Sequence, residues 1–350
     1  MSAIRCALVG YGVAGSMFHA PILGALDGFA LTDVVSSRPA AVRADLPGVA
    51  VHADLDGLLA ISDVELCVIA TLNASHAPLA RACLEAGRHV VVEKPFVTDP
   101  AEGRALAALA AERGLVLAVY HSRRWDGDFL TLRRLIADGK VGVPHTLIAH
   151  YDRWRPTVQD RWRERPGPGA GILWDLGAHL VDQALQLLGP ARRVCAELSA
   201  SRPGASVTDH FHLVVEHAGA TAYLHGDCRT VLPGPHFILH GSAGSFVKYG
   251  MDSQEALLRQ RLGPGTPGWG IEPEASYGDL TVIGVDGQLA TTKVPTERGG
   301  YEAFYLGLAR ALRAGAPSPV SAAEALAVID LLLAAEESAA SGQRIDLPPR

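Results

Sequence analysis

The sequence predicts an α/β protein of two domains: a doubly wound parallel sheet, followed by an α+β domain with an open, mainly antiparallel sheet. Three observations lead to this prediction. Short apolar strands alternate with helices in the first third of the chain, and a glycine-rich turn follows the first strand. From Arg193 onward, strands then follow one another without long intervening helices.

The first domain is predicted over residues 1–120. Its strands are apolar throughout, which is typical of a parallel sheet that helices bury on both faces. The predicted strands are Ile4–Val9, Ala30–Ser36, Val49–His52, Leu66–Ala70, His89–Glu93 and Leu115–Tyr120. The predicted helices between them are Ala14–Leu26, His76–Ala86 and Pro100–Arg113.

The second domain is predicted over residues 121–350. Its helices are expected at Asp126–Asp138 and at residues 171–189. The predicted strands are residues 145–154, Arg193–Ser199, Val207–His217, Thr221–Arg229, His236–His240 and Ser245–Tyr249. The two closing helices, Tyr301–Arg313 and Ala322–Ser341, are compatible with packing back on the first domain.

Composition narrows the class of protein. The chain has 350 residues, 19% of them charged, and a net charge of −6, so no basic surface for nucleic acid is expected. No apolar run approaches the ~18 residues of a membrane span, and the start of the chain shows no signal-peptide pattern. The 5 cysteines are scattered and form no CxxC pair, which indicates reduced thiols, a cytoplasmic location and no zinc site.

The stretch VGYGVAGSMF places Gly10, Gly12 and Gly15 in a GxGxxG pattern between the first strand and a helix. Such a turn needs one glycine for its tight bend, one for the approach of a pyrophosphate and one for helix–strand packing. We therefore predict a Rossmann nicotinamide-binding site that includes the intervening Val13 and Ala14. The alternative is a glycine turn without a ligand.

The end of the second strand predicts which nicotinamide cofactor binds. An NAD site places a carboxylate there for the ribose hydroxyls, whereas this strand ends in Ser36, Ser37 and Arg38. A guanidinium suits a 2′-phosphate, and Asp33 lies too early in the strand to reach the ribose. NADP is therefore favoured over NAD, unless Arg38 is only a solvated loop charge.

Glu93, Lys94 and Pro95 follow the fifth strand, at the edge where open α/β sheets bind ligands. Pro95 biases Lys94 toward an extended conformation. A lysine held in a crevice beside a positively charged nicotinamide suits proton transfer. The alternative is an ordinary surface charge.

The stretch GILWDLGAHLVDQALQLLG, residues 171–189, is predicted to form an amphipathic helix ended by a Gly-Pro pair. Asp175 and His179 are one turn apart and therefore share a face. His179 suits a proton acceptor, and Asp175 can bind substrate hydroxyls or orient the imidazole. The alternative is a surface pair; Asp182 and Gln183 are expected behind the site or in solvent.

Two further features concern the second domain. The arginine-rich loop before this helix contains Trp154 and Trp162, which either cover the substrate or pack on the surface. His210 and His212 share one face of a strand without metal-ligand spacing, so we predict sheet-surface or interface positions and expect no metal. Because another subunit usually covers an exposed sheet, we expect a homodimer or homotetramer.

Three motifs in this order resemble the glucose–fructose oxidoreductase/inositol dehydrogenase (Gfo/Idh/MocA) family. They are the glycine turn, EKP at 93–95 and WDLGAHLVDQAL at 174–185. The stretches GYGVAGSMFHAPIL and YHSRRWDGDFLTLRRLI resemble its scyllo-inositol dehydrogenase-like branch. Leu72 stands where the family commonly has proline, and Ser122 where it commonly has asparagine.

The resemblance implies roles for individual residues. It places Lys94 near the nicotinamide and the reacting carbon, with Asp175 as substrate binder and His179 as proton acceptor. The residues implied beside the cofactor are Thr71, Asn73, His76, Glu93 and Lys94. Those implied at the substrate are Lys94, Arg124, Trp125, Asp175 and His179.

The predicted function is hydride transfer between NADP, with NAD as the alternative, and a secondary alcohol or ketone of a cyclic polyol or sugar. Lys94 and His179 would handle the proton. Two other functions stay open, namely nicotinamide-assisted glycoside cleavage and a non-catalytic NADP-binding sensor. The presence of Lys94, Asp175 and His179 together argues against the sensor.

Overall fold

The structure, a computed structural model, describes residues 2–349 and divides into two compact units. Unit 1 comprises the residues up to Ser122 together with Ser253–Trp269 and Gly300–Leu326. Unit 2 comprises Arg123–Asp252, Gly270–Gly299 and the residues from Ala327 onward. None of the helices formed by residues 2–349 is long and apolar enough to cross a membrane.

Unit 1 is built on a six-stranded parallel sheet. Its strands are β1 (Ile4–Val9), β2 (Phe29–Val35), β3 (Ala50–His52), β4 (Leu66–Ile69), β5 (His89–Glu93) and β6 (Leu117–Tyr120). They lie in the order β3-β2-β1-β4-β5-β6, and every neighbouring pair is parallel. The order reverses between β1 and β4, where doubly wound sheets bind ligands beyond the carboxyl ends of their strands.

The helices begin and end close to the predicted positions. In chain order they are α1 (Ala20–Gly24), α2 (Pro39–Asp45), α3 (Leu55–Ile61), α4 (His76–Glu85), α5 (Pro100–Glu112), α6 (Gly127–Ala137), α7 (Ala178–Leu188), α8 (Gln254–Arg259), α9 (Glu302–Ala314) and α10 (Ala322–Ser341). π-helical turns, Ala14–His19 and Leu173–Gly177, lead directly into α1 and α7. Both glycine-rich entries to a helix therefore start with a wider turn than an α-helix has.

Unit 2 is built on a nine-stranded sheet. Its strands are β7 (Pro144–His150), β8 (Ala191–Ser199), β9 (His210–His217), β10 (Thr221–Asp227), β11 (Phe237–Gly241), β12 (Gly244–Lys248), β13 (Gly278–Ile283), β14 (Leu289–Val294) and β15 (Ile345–Asp346). The order is β14-β13-β12-β11-β7-β10-β9-β8-β15. The β7–β10 pair is parallel and the other pairs are antiparallel.

The sheet of unit 2 has one covered and one open face. Along β9, Phe211, Leu213 and Val215 are fully buried, while the residues between them are partly exposed. Phe211 lies under the π-helical turn before α7, since a Cβ added at Gly177 would meet its ring at 3.5 Å. Such alternation is typical of an antiparallel sheet that buries one face only.

The predicted fold class is confirmed, although several short elements are absent from the prediction. These are α2, α3, α8, β13, β14 and β15. β14 is exposed at five of its six positions, so it lacks the apolar pattern by which a strand is recognised. The strand predicted from Val207 begins only at His210, because the Asp209 carboxylate accepts hydrogen bonds from the backbone of Ser201 and Arg202.

Candidate active site

The three glycines of the turn after β1 meet different surroundings. Gly10 has φ +100°, and a Cβ there would lie 2.6 Å from the Ala70 carbonyl oxygen. A Cβ on Gly15 would lie 2.1 Å from the Gly10 carbonyl oxygen, whereas a Cβ on Gly12 would meet nothing within 4 Å. Gly10 and Gly15 therefore close the turn, and Gly12 leaves open space in front of it. This cradle fits the pyrophosphate of a dinucleotide.

The end of β2 supplies hydroxyls and one guanidinium next to this turn. Ser36 is buried, and its Oγ accepts the Arg38 N–H at 3.0 Å. The exposed Arg38 side chain donates from Nη2 to the Tyr11 carbonyl oxygen, inside the glycine turn. Asp33 is buried within the strand and bonds His52 Nε2 at 2.7 Å, so its carboxylate is already engaged.

The segment after β4 supports the turn that follows β5. Asn73 is buried and starts a short helical turn before α4, and Thr71 Oγ1 accepts the Ser75 hydroxyl at 2.8 Å. His76 is 1% exposed, and its Nδ1 donates to the Pro95 carbonyl oxygen at 2.9 Å. Burial lowers the pKa of His76, so its imidazole is neutral at pH 7.

Glu93 is held by a histidine from the helix that follows the glycine turn. His19 is fully buried; its Nε2 lies 3.1 Å from Glu93 Oε1 and its Nδ1 lies 2.6 Å from the Tyr305 hydroxyl. Burial also raises the pKa of Tyr305, so this hydroxyl keeps its proton and donates to Nδ1. The other Glu93 oxygen accepts the Lys94 N–H at 2.9 Å.

These bonds form one chain from α9 to the Lys94 backbone. Tyr305 donates to His19, His19 donates to Glu93, and Glu93 accepts from Lys94. The half-buried Lys94 side chain thus projects from a backbone fixed by Glu93 on one side and by His76 through Pro95 on the other. The Lys94–Pro95 peptide bond is cis.

In unit 2, Asp175 and His179 stand at the start of α7. Asp175 lies in the π-helical turn and pairs with Arg163, whose Nε is 3.2 Å from Oδ1. His179 is 7% exposed and stacks on the Tyr151 ring, with centroids 6.3 Å apart and planes 23° apart. The Arg153 guanidinium lies over the same ring at 4.4 Å.

Behind these residues, α7 is bound to the turn Ser122–Trp125. The Arg124 guanidinium forms a bidentate pair with Asp182, with Nε–Oδ2 of 2.9 Å and Nη2–Oδ1 of 2.6 Å, and both side chains are buried. Gln183 donates to the Arg123 carbonyl oxygen at 3.2 Å. Asp182 and Gln183 therefore position the Arg124 turn rather than face solvent.

Comparison with known proteins gives matches over both parts of the chain. Residues 4–121 match the model of an oxidoreductase family with an NAD-binding Rossmann fold, and residues 129–247 match the GFO/IDH/MocA C-terminal domain. The chain is 39% identical to scyllo-inositol 2-dehydrogenase (NADP(+)) IolW of Bacillus subtilis (strain 168), over 98% of this chain and 96% of that protein.

The chain belongs to the Gfo/Idh/MocA oxidoreductase family.

Two further relatives of this Gfo/Idh/MocA protein extend the comparison. It is 41% identical to the uncharacterized oxidoreductase YdgJ of Escherichia coli (strain K12), over 96% of each chain. The solved structure of the oxidoreductase yvaA from Bacillus subtilis superposes with a TM-score of 0.96 at 38% identity, covering 99% of each chain. The protein is therefore an oxidoreductase with a nicotinamide-binding Rossmann domain, as the resemblance implied.

In the structure of this Gfo/Idh/MocA protein, predicted site residues form one group in unit 1 and another in unit 2. In unit 1, Arg38 reaches the glycine turn through Tyr11, and His76 reaches the EKP turn through Pro95. In unit 2, Arg124 is engaged by Asp182. Within residues 2–349, no group of three or more histidine, cysteine or acidic side chains is arranged to hold a metal ion.

Three side chains that bind the predicted site residues, directly or through one another, were not predicted from the sequence: His19, Tyr305 and Arg163. His19 and Tyr305 lie 286 positions apart, so no local pattern joins them. Arg163 was recognised only as part of an arginine-rich loop, and the sequence did not predict its pairing with Asp175. The one available signal for His19 is its place in the stretch GSMFHAP, directly after the glycine turn.

Proposed function

We propose that this protein is an NADP-dependent dehydrogenase or reductase that acts on a secondary alcohol or ketone of a cyclic polyol or sugar. The observation that carries the proposal is that one chain combines a cofactor cradle with candidate proton-transfer and substrate-binding residues. An open glycine cradle occurs together with Lys94 on a fixed backbone and with the Asp175 and His179 pair. The activity named for the Bacillus subtilis relative, scyllo-inositol 2-dehydrogenase, supports this substrate class.

The cofactor would be held by the cradle and its neighbours in unit 1. Gly12 admits the pyrophosphate, and the exposed Arg38 suits the 2′-phosphate of NADP. Asp33 is engaged by His52, which supports NADP over NAD. The proposed cofactor-binding residues are Gly10, Gly12, Val13, Ala14, Gly15, Ser36, Ser37, Arg38, Thr71, Asn73, His76, Glu93 and Lys94.

The chemistry of the remaining residues follows from their types. When bound, the nicotinamide supplies or accepts the hydride. His179 takes the proton of the substrate hydroxyl during oxidation and returns it during reduction. Lys94 binds the reacting oxygen and shares in the proton transfer, and its fixed backbone limits the positions that its ammonium group can take. Asp175 binds substrate hydroxyls.

A spectrophotometric screen tests the proposal. Inositols, sugars and anhydrosugars are each supplied with NADP and, in parallel, with NAD, and formation of the reduced cofactor is followed. We expect reduction of NADP in preference to NAD with at least one cyclic polyol or sugar. Failure to reduce either cofactor with any of these compounds would refute the proposal. Release of an aglycone without net reduction would instead identify glycoside cleavage.

A further inference from the structure

A small cavity in unit 2 borders Asp175 and is lined mainly by arginine. It is a shallow cleft open to solvent, and about 250 Å³ of space lies at its mouth, open solvent included. Its charged lining residues are Arg155, Arg161, Arg163, Arg202, Glu164 and Asp175. Four guanidinium groups thus face two carboxylates in a cavity next to a proposed substrate-binding residue.

Three of the four arginines are neutralised by neighbours. Arg161 binds Glu164 Oε1 through Nε at 2.9 Å and Nη2 at 2.5 Å. Arg202 binds Glu164 at 3.1 Å and Asp209 at 2.9 Å, with all three side chains buried. Arg163 pairs with Asp175. Two lining carboxylates and Asp209 therefore balance three positive charges.

The fourth arginine, Arg155, has no such partner. Among residues 2–349, no carboxylate forms an ion pair with its guanidinium, and the side chain is half-buried. Burial and the charges of Arg161 and Arg153 lower the pKa of Arg155, and the charge of Asp175 opposes this only in part; an arginine nevertheless remains a cation at pH 7. Because Asp175 is already ion-paired with Arg163, the partly desolvated Arg155 shares its nearby carboxylate with another cation, which is unfavourable.

The backbone of Arg155 is nevertheless fixed. Its N–H donates to the Cys228 carbonyl oxygen at 2.7 Å, and its own carbonyl oxygen accepts from the buried Arg202 at 3.0 Å. The only partly compensated charge of Arg155 is therefore held in place by a buried frame, as in a preorganised binding site.

We propose that this arginine pocket binds a carboxylate or phosphate group of the substrate, so that the preferred substrates are acidic sugars or polyol phosphates. The inference rests on the proposed function and narrows its substrate class. The anionic group would supply Arg155 with a counter-charge of its own, and the rest of the substrate would extend toward Asp175, which lines the same pocket. Arginine suits this role because its planar donors match both carboxylate and phosphate.

Substrate pairs that differ only in the acidic group test the inference on the wild-type protein. The pairs are D-glucuronate with D-glucose, D-galacturonate with D-galactose, and myo-inositol 1-phosphate with myo-inositol, at constant ionic strength. We expect kcat/KM to be about 10-fold to 100-fold higher for an acidic member. Equal or higher kcat/KM for every neutral member would overturn the inference and leave the proposed function intact.

Variants then assign the effect to Arg155. Arg155→Gln should lower kcat/KM for the acid about 10-fold to 100-fold more than for its neutral partner, and Arg155→Lys should lose less. Arg165→Gln is the matched control, since Arg165 is exposed, pairs with exposed Asp160 and lies outside the pocket lining. An acid preference that survives in Arg155→Gln would contradict the assignment.

Thermal unfolding provides a readout that needs no turnover. The acidic members should raise the melting temperature of wild type and not of Arg155→Gln. If they do so while no compound is oxidised, the pocket stands and the proposed function fails. If inorganic phosphate protects as well as the sugar acids and no acid preference exists in kcat/KM, the pocket binds free anions and the substrate inference is wrong.

Discussion

Gly12 and Gly15 stand three positions apart in one turn, yet they meet opposite surroundings. A side chain at Gly15 would collide with the Gly10 carbonyl, while a side chain at Gly12 would enter open space. The lack of a side chain at Gly15 therefore matters for the stability of the turn, and the lack of one at Gly12 matters for access of a ligand.

This contrast gives a prediction with an internal control. Gly15→Ala should lower the free energy of unfolding by about 2 kcal/mol or more, because the added methyl overpacks the turn. Gly12→Ala should change it by less than about 0.5 kcal/mol but weaken NADP binding by about 10-fold or more, since the methyl occupies the space left for the pyrophosphate. Urea unfolding and fluorescence titration measure the two effects. Unchanged NADP affinity in Gly12→Ala would contradict the cradle.

The proposed preference for NADP can also be tested at a single residue, Arg38. Its side chain is exposed and directed to the glycine turn, so reversing its charge should repel a 2′-phosphate. We expect Arg38→Asp to shift the NADP/NAD ratio of kcat/KM toward NAD by about 10-fold or more. Arg43→Asp, an equally exposed change within α2, should leave the ratio unaltered. A ratio that Arg38→Asp does not move would refute the phosphate contact.

At the scale of elements, the chain of bonds from α9 to the end of β5 fixes the Lys94 backbone. It joins Tyr305, His19 and Glu93, all buried or nearly so. Because its members are far apart in sequence, the chain forms only when the sheet and both helices are in place. Loss of this chain of hydrogen bonds should therefore lower the stability of the protein and also free the backbone of Lys94.

The pH dependence of stability tests this chain. Burial alone would raise the pKa of Glu93, but the hydrogen bond from His19 and the electrostatic effect of its neighbours, Lys94 among them, together outweigh it, and the pKa lies below its usual value. The stabilisation by ionised Glu93 is therefore full above the unfolded pKa of about 4.3 and is lost as pH falls through the lower folded value. We expect the difference in unfolding free energy between wild type and Glu93→Gln to be constant from pH 5 to 7 within error and to shrink below about pH 4. A difference that grows on acidification would contradict the assignment.

The same elements show what sequence could and could not predict. Strand β4 is apolar throughout, β1 is apolar except at Arg5, and β5 is apolar at its three central positions; the glycine turn has a local pattern, so these elements were predictable. The Arg163–Asp175 pair and the His19 contacts were not, because they join residues that only the folded chain brings together. β14 was missed because its side chains are exposed.

At the scale of the whole molecule, the open face of the unit 2 sheet is a candidate subunit interface. The histidines His150, His210, His212 and His225 lie on the sheet there, with ring centroids 5.1 to 5.8 Å from His225, and Tyr223 is exposed on β10. A wide sheet face of this kind is commonly covered in oligomers. Our proposal is that a second copy of the chain covers it.

Light scattering after size exclusion checks this proposal. Wild type should elute as a dimer or tetramer, and Tyr223→Glu should shift the population toward the monomer, because it places a charge in an apolar contact. Ile61→Glu, an exposed change at the end of α3, should not. A monomeric wild type would disprove the proposal.

In the proposed function, Lys94 and His179 serve one proton-transfer step coupled to hydride transfer. Each of Lys94→Ala and His179→Ala should therefore lower kcat by about 10²–10⁴ while NADP still binds, since each would remove a group proposed to act on the reacting oxygen. The Lys94→Ala/His179→Ala double variant distinguishes a shared step from separate ones.

Single-turnover reduction of NADP by wild type, both single variants and the double variant is the most direct measurement. We expect the double variant to be slower than the worse single variant by no more than about 10-fold, because the effects of residues that act as a unit are not additive. Losses that multiply in the double variant, or full turnover by either single variant, would contradict it.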